Sequence, residues 1–270
     1  MKCMNGRGLV RLLSGSMALV LASSACFGQT STWSVAGPGS WSDAARWSAG
    51  VPGAGTLAVF DVVTTPSTNV VQVPLSQAGS PPAGIATWHG TIALRFDATT
   101  NWTLTQPLVV SSPSTGTEPN PLVYIGAVDG STVQLNVPGL QVATLSDRPS
   151  SLAIDSGADI RVGTSAAPVE VVVGSQGSGY LGVGRYGLAG GFNAAAPALT
   201  INGSLRIGGT VPNSFPFGQV EVFTGSMSVT GAINVGAPDS TGTICGGGGT
   251  IGVRRGAVST AASINLLPAC

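Results

Sequence analysis

The stretch VEVVVGSQGSGYLGVG, residues 169–184, decides the fold class of this chain. Two short runs with aliphatic residues at alternate positions, VEVVV and YLGV, are separated by a glycine-rich break. Alternation over a few residues is typical of a β-strand, and glycine provides the backbone freedom that a tight corner needs. The stretch is therefore predicted to form a strand, a corner and a second strand.

A related pattern recurs through the second half of the chain: an aliphatic residue, a spacer and a second aliphatic residue, usually followed by glycine. Segment 220–236 also repeats the order of 169–184, because VEVFTGS matches VEVVVGS and GAINVG matches GYLGVG. Units of about 20–30 residues are too short for a crossover helix, so successive strands must stack in parallel. The sequence predicts an all-β fold, a parallel β-helix (β-solenoid), and the chirality of crossovers predicts a right-handed coil. The copies lie at 135–137, 160–163, 181–184, 205–208, 233–236 and 264–266.

Residues 30–130 repeat less clearly, although short strand candidates are present. Short strands separated by turns are also typical of a β-sandwich, which is the alternative for this part of the chain. We expect a continuous solenoid. The strand candidates are 57–63, 69–73, 92–96, 102–105 and 122–128, and the clearest loop is SPSTGTEPNP at 112–121.

All the tryptophans of the chain lie before residue 103. The end of a solenoid exposes an open apolar core and unpaired strand edges, which large aromatic rings can cover. We therefore expect a tryptophan-rich N-terminal cap within residues 29–130, followed by regular coils over 131–270. The alternative is an exposed aromatic platform that binds carbohydrate. The residues concerned are Trp33, Trp41, Trp47, Trp88 and Trp102.

Residues 1–28 have the features of a secretory signal peptide. Three basic residues precede an apolar segment at 12–21 that is too short to span a bilayer, and small residues follow. Cleavage after Ala25 or Gly28 is expected, and lipidation of Cys26 is the alternative. The chain is therefore expected to be secreted or to lie at the cell surface, with contact to a membrane only through a lipidated Cys26.

The charge pattern gives no sign of a nucleic-acid partner. Charged residues make up 8% of the chain and form no block of like charge. Beyond the signal peptide and its cleavage region, Cys245 and Cys270 remain, 25 residues apart and close to the length of one coil. In an oxidising compartment these two cysteines are predicted to form a disulfide.

Glycine motifs of cofactor-binding proteins occur without their required context. GVGRYG, residues 182–187, has the dinucleotide-binding spacing, but the segment after it is broken by glycine and proline, and the next acid, Glu221, is too distant. CGGGGT, residues 245–250, lacks the Lys-Ser/Thr ending of a phosphate loop. No cofactor is expected, and both motifs are predicted to form coil corners.

The titratable residues show no strong catalytic pattern. Asp155 and Asp159, with Arg161 beside them, are expected to decorate the outside of one corner, and the alternative is a carboxylate pair of a glycoside hydrolase. A metal site or a Ser-His-Asp arrangement would depend on His89, the only histidine. A satisfied or exposed turn histidine is expected instead.

The segment at 33–61, WSVAGPGSWSDAARWSAGVPGAGTLAVFD, followed by coils such as GYLGVGRYG and GSMSVTGAINVGA, resembles secreted bacterial β-solenoid proteins related to autotransporter passengers and planctomycete-type surface proteins. The resemblance implies a non-catalytic structural or adhesive role, with extracellular polysaccharide or cell-surface components as partners. Two alternatives remain open: a β-helix polysaccharide lyase or hydrolase, and a carbohydrate-binding module that uses the tryptophans.

Overall fold

The computed structural model describes residues 29–63, 69–113, 118–128, 130–146, 148–184, 195–209, 217–236 and 248–266. Within these ranges the chain is all-β apart from two short 3₁₀ helices, Ala44–Arg46 and Leu75–Gln77. The strands are β1 (Thr30–Trp33), β2 (Gly39–Ser40), β3 (Leu57–Asp61), β4 (Asn69–Val73), β5 (Gly84–His89), β6 (Thr91–Phe96), β7 (Thr100–Thr103), β8 (Leu108–Val110), β9 (Leu122–Ala127), β10 (Val133–Val137), β11 (Leu140–Val142), β12 (Ser150–Ile154), β13 (Ala158–Val162), β14 (Val169–Val173), β15 (Gly179–Val183), β16 (Ala198–Ile201), β17 (Gly203–Ile207), β18 (Gly218–Val222), β19 (Ser226–Val229), β20 (Ile233–Val235), β21 (Gly249–Val253), β22 (Ala257–Thr260) and β23 (Ile264–Leu266).

These strands form three sheets whose neighbours pair in parallel. Sheet 1 has the order β1-β3-β5-β8-β11-β14-β17-β20-β23, sheet 2 the order β2-β4-β6-β9-β12-β15-β18-β21, and sheet 3 the order β7-β10-β13-β16-β19-β22. From β6 onward each turn of the chain adds one strand to sheet 2, then sheet 3, then sheet 1, which gives a β-solenoid of about six turns. The predicted fold class is confirmed, and residues 30–130 belong to the same solenoid instead of a β-sandwich. The right-handed sense of the coil stays a prediction.

The first coils differ from the later ones because they contribute no strand to sheet 3. The chain forms the 3₁₀ helices Ala44–Arg46 and Leu75–Gln77 at the corresponding points of its path. The Asp43 carboxylate caps the first of these by accepting a hydrogen bond from the Ala45 N–H at 3.1 Å. The indole of Trp102 on β7 donates to the Gln77 carbonyl at 3.1 Å, which ties the second helix to the edge of sheet 3.

The sequence repeat combined strands that belong to different sheets. Segments 135–137 and 160–163 lie in sheet 3, segment 181–184 lies in sheet 2, and the later copies lie in sheet 1. The match between 169–184 and 220–236 likewise aligns strands of sheet 1 with strands of sheet 2. Paired residues of successive coils are therefore 23 to 39 positions apart, a wider range than the sequence spacing indicated. The equivalent inward positions of sheet 2 are Leu152, Leu181, Val220 and Ile251.

Aliphatic residues at alternate positions form one continuous core, as the alternation predicted. Val183 and Ile207 are fully buried, whereas Arg206, next to Ile207 on β17, lies on the outer face and pairs with Glu170 at 3.3 Å. The last coil differs, because Ile264 and Leu266 occupy inward positions but are 50% and 77% exposed.

An aromatic cluster fills the core at the N-terminal end of the solenoid. Four tryptophans in it are at most 4% exposed, and they pack with Phe60 and Phe96. Ring centroids lie 5.0 to 5.4 Å apart along the chain of contacts Trp33–Trp47–Trp41–Trp102, within the range of favourable aromatic pairs. These four rings support the predicted cap. Because they are buried, they cannot form the exposed platform that was the alternative.

Candidate functional site: a bulged strand beside an apolar groove

Strand β5 contains a bulge that separates two chemically different residues. Phe60 of β3 pairs with Thr87, but the next residue, Asp61, pairs with His89, so that Trp88 is the extra residue in the ladder. An extra residue of this kind redirects its side chains, and bulges are frequent next to functional sites. Here the half-buried Trp88 lines a groove on the outer face of sheet 1, whereas His89 is buried and only 6% exposed.

His89 joins Asp61 and Ser112, which come from neighbouring coils, in one hydrogen-bonded chain. Its Nδ1 lies 2.6 Å from Asp61 Oδ1, and its Nε2 lies 3.0 Å from Ser112 Oγ. A carboxylate can only accept a hydrogen bond, so in the neutral imidazole that pairs with it Nδ1 carries the proton and Nε2 accepts from the Ser112 hydroxyl. His89 has hydrogen-bond partners, as expected, but it is the last residue of strand β5 and not a turn residue. Its partners are the residue types of a Ser-His-Asp triad, an arrangement that was not expected from the sequence.

The exposure of the three side chains decides whether Ser112 can act as a nucleophile. The Asp61 side chain is 31% exposed and the His89 side chain 8%, whereas Ser112 is fully buried. A nucleophilic hydroxyl must reach the carbonyl carbon of its substrate, and a fully buried Oγ does not. The neighbouring Ser111 has a comparable structural task, because its Oγ accepts the backbone N–H groups of Thr144 and Leu145. The arrangement links successive coils at one corner of the solenoid.

The groove beside Trp88 lies on the outer face of sheet 1 and has a volume of about 300 Å³. Ala86 and Val109 are direct neighbours in its floor, and Gln141 continues the same row on β11. Proline and leucine side chains, together with Gln106 and the Trp88 ring, complete the lining of the groove. These proline and leucine residues are Leu57, Pro107, Pro113 and Leu145.

The two glutamines of the groove provide its polar groups. The Gln106 side-chain oxygen is buried and has no hydrogen-bond partner among the described residues. The Gln141 side-chain oxygen accepts from the Thr144 hydroxyl at 3.2 Å. Gln106 approaches the sheet closely because Gly84 lies beneath it, where a Cβ atom would come within 2.7 Å of Gln106 Cβ. A buried amide oxygen without a partner costs free energy unless a ligand or water supplies a donor.

The two acidic residues singled out in the sequence, Asp155 and Asp159, differ in how deeply they are buried. Asp159 lies on the outer face of β13 as predicted and accepts hydrogen bonds from Arg161 at 2.7 and 2.9 Å. Asp155 is not on the outside but is 6% exposed, because its Oδ1 turns back to accept the Ser156 N–H at 2.8 Å. One carboxylate is bound by an arginine of its own strand and the other by its own turn.

Three candidate residues lie outside the described residues: Cys26, Cys245 and Cys270. The disulfide and the lipidation stay predictions. Gly184 forms a corner with φ of +79°, whereas residues 185–187 of the same glycine motif are not described. Gly249 and Thr250 begin strand β21, so the end of the CGGGGT motif is strand and not corner.

Two features are absent from the part of the chain that the structure describes. No group of three or more histidine, cysteine, aspartate or glutamate residues is placed to hold a metal ion. No helix in these ranges is long and apolar enough to cross a membrane. Comparison of the whole chain with protein-family models, with curated proteins and with solved structures gives no match.

Sequence reasoning missed the strand that builds this site. Segment 84–89, GIATWH, has no alternation of aliphatic and polar residues, since the bulge interrupts the period of two. The sequence signal that could have indicated this site is the single histidine of the chain, His89, directly after a tryptophan, Trp88.

Proposed function

We propose that this chain is a non-catalytic β-solenoid with a structural or adhesive role, exported by the signal sequence at 1–28 and acting outside the cell or at its surface. The observation that supports this function is the distribution of charge. In the described ranges five arginines pair with single carboxylates at positions dispersed along the solenoid, and the pairs do not converge on a cleft. These pairs are Arg46–Asp43, Arg95–Asp97, Arg148–Glu118, Arg161–Asp159 and Arg206–Glu170.

General acid–base catalysis requires groups that are held together within reach of one substrate. Dispersed pairs do not satisfy this requirement, and neither do Asp155 and Asp159 with the local partners described above. A continuous aliphatic core instead satisfies what a scaffold requires, because each coil is stabilised by the coils on either side. The resemblance to secreted surface solenoids supports the same role.

Hydrolysis of esters or amides is the second candidate, and the Asp61–His89–Ser112 chain of hydrogen bonds favours it. The test is labelling of the purified protein with a fluorophosphonate probe, together with hydrolysis assays on short-chain p-nitrophenyl esters. We expect no labelling and no turnover above the buffer rate, because Ser112 is buried. Labelling or turnover that disappears in a Ser112→Ala variant would establish a hydrolase.

The polysaccharide lyase and hydrolase alternative needs its own assay. Neutral and acidic polysaccharides are incubated with the protein, and reducing ends and unsaturated products are followed. We expect equal background rates for the natural chain and for an Asp155→Asn, Asp159→Asn double variant. Turnover that requires these carboxylates would overturn the non-catalytic function.

A further inference from the structure

We propose that segment 47–50, WSAG, covers the free edge of β1 and thereby prevents the C-terminal end of a second copy of this chain from stacking onto the N-terminal end of the first. We call these four residues the edge guard. The inference goes beyond the proposed function, because it concerns contacts between copies of the chain and not contacts with a target.

The two ends of sheet 1 are complementary, because every coil repeats the same strand direction and the same inward positions. At the C-terminal end, Ile264 and Leu266 of β23 occupy inward positions and are half to three-quarters exposed. At the N-terminal end, Ser31 and Trp33 of β1 occupy the equivalent positions of the ladder. A copy stacked head to tail would place Ile264 beside Ser31 and Leu266 beside Trp33, and such a contact repeats without closing into a ring.

The edge guard occupies the backbone groups through which β1 would pair with another copy. Alternate residues of a strand direct their N–H and C=O groups to opposite sides, so β1 uses only every second residue to pair with β3. The Thr32 carbonyl accepts the Ser48 N–H at 3.0 Å, and the Thr32 N–H donates to Ser48 Oγ at 2.9 Å. Both backbone groups of Thr32 are therefore satisfied within the chain and are not available to a second copy.

Ser31 holds the edge guard through its side chain. The inward residues that follow it in the ladder, Ala58 and Ile85, are apolar, so that a serine interrupts an apolar row. Its hydroxyl donates to the Gly50 carbonyl at 2.7 Å and accepts the Ala49 N–H at 3.2 Å, although Ser31 is fully buried. Packing of the core does not require a hydroxyl group at this position, whereas attachment of the edge guard does.

The other two sheets offer less edge at this end. Among the described residues, β2 has only the two residues Gly39–Ser40, and the first coil has the 3₁₀ helix Ala44–Arg46 where later coils have a strand of sheet 3. The four-residue β1 is therefore the longest edge to protect. Trp47 anchors the edge guard there, because its indole N–H donates to the Trp41 carbonyl at 2.8 Å and its ring lies 5.2 Å from that of Trp33.

The rival interpretation is that segment 47–50 only stabilises the first coil. In that case, loss of its hydrogen bonds lowers stability and leaves the copies separate. Under the proposal the loss has a further consequence, because it exposes an edge that is complementary to the last strand of every other copy. Protection of one end is sufficient to stop a head-to-tail chain, since growth requires both ends.

The test is sedimentation velocity of the purified natural chain and of a Ser31→Ala, Ser48→Ala double variant over a range of concentrations. The variant loses the three side-chain hydrogen bonds of the edge guard, and Ala58 shows that alanine fits this inward row. We expect the natural chain to stay monomeric and the weight-average mass of the variant to rise about twofold or more with concentration. Ser40→Ala, Ser42→Ala is the matched control and should stay monomeric, because these two serines bond to each other at 2.8 Å.

Leu266→Lys distinguishes stacking from non-specific aggregation. In the monomer Leu266 is 77% exposed, so that a lysine should be tolerated, but in a stacked pair the lysine would be buried beside Trp33. Added to the double variant, Leu266→Lys should return the mass to that of the monomer, and circular dichroism verifies that each variant is folded. A folded double variant that stays monomeric, assembly that persists with Leu266→Lys, or head-to-tail stacking of the natural chain would overturn the proposal.

Hydrogen exchange of the natural chain, followed by NMR, tests the edge guard without any substitution. The Thr32 amide should be protected although β1 is the first strand of its sheet, because Ser48 Oγ holds it. The Leu266 amide of the last strand should exchange about tenfold faster or more. Equal exchange of these two amides would also overturn the proposal, since an edge that opens freely does not block a second copy.

Discussion

Adjacent residues on one strand of the solenoid face opposite environments. Ile207 on β17 points into the core and is fully buried, whereas Arg206 beside it lies on the outer face and pairs with Glu170. A carboxylate at an inward position would be buried without a partner. A change at the outer position removes only one exposed ion pair. Tolerance of substitution should therefore alternate along the strand.

Ile207→Asp should lower the free energy of unfolding by several kcal/mol or prevent folding, because an unpaired carboxylate in the core is costly. Arg206→Ser should cost about 0–1 kcal/mol, the usual range for a surface ion pair. Urea unfolding followed by circular dichroism measures both values, with Ile207→Val as a mild core control at about 0.5–1.5 kcal/mol. Equal effects of Ile207→Asp and Arg206→Ser would contradict the register of β17.

At the scale of the element, glycine corners join strands of different sheets. Gly184 follows β15 with φ of +79°, and its N–H donates to the Ile154 carbonyl of the preceding coil at 2.8 Å. Its own carbonyl accepts from the Thr224 hydroxyl of the next coil at 3.0 Å. A Cβ atom on Gly184 would collide with the Thr224 backbone oxygen, whereas one on Gly37, with φ of +98°, would meet no atom within 4 Å.

Gly37→Ala should cost about 1 kcal/mol through its backbone conformation alone. Gly184→Ala should cost about two to three times as much, because the backbone strain is joined by a collision with the neighbouring coil. Thermal unfolding of the two variants, side by side, measures the difference. Similar melting temperatures would mean that the corner at Gly184 relaxes without cost.

At the scale of the whole molecule, the two ends of the solenoid are different. The first coils enclose aromatic rings that are at most 4% exposed. Among the described residues, strands β21, β22 and β23 are each the last strand of their sheet, and the inward residues Ile264 and Leu266 of β23 are half to three-quarters exposed. The stability of a solenoid is close to a sum over neighbouring coils, so a coil with one neighbour opens more readily.

Native-state hydrogen exchange should show this asymmetry. Amides of β21 to β23 should exchange at least tenfold faster than those of β12 and β13 in the middle coils, because local opening of the last coil exposes little additional apolar surface. Mass spectrometry of peptic fragments measures the rates. Equal protection at the last coil and in the middle would show that another surface covers this end in solution.

The aromatic cluster illustrates how much of this architecture was predictable. Large apolar rings gathered near one end of a repetitive chain indicated a cap, and four of the five tryptophans form the predicted cluster. Trp88 was wrongly expected among them. Its position outside the core depends on a one-residue bulge in β5. A bulge arises from how a strand pairs with its neighbour, so the residues of the strand alone do not predict it.

The sequence by itself determined the fold class and the inward positions of this protein, because alternation and glycine corners are local properties that each strand carries in its own residues. Only the tertiary structure decided which sheet each strand joins, because all three sides of the coil require the same local pattern. It also decided that Asp61, His89 and Ser112 meet, although 28 and 23 residues separate them. Those separations are the lengths of individual coils, which the loops set without any periodicity in the sequence.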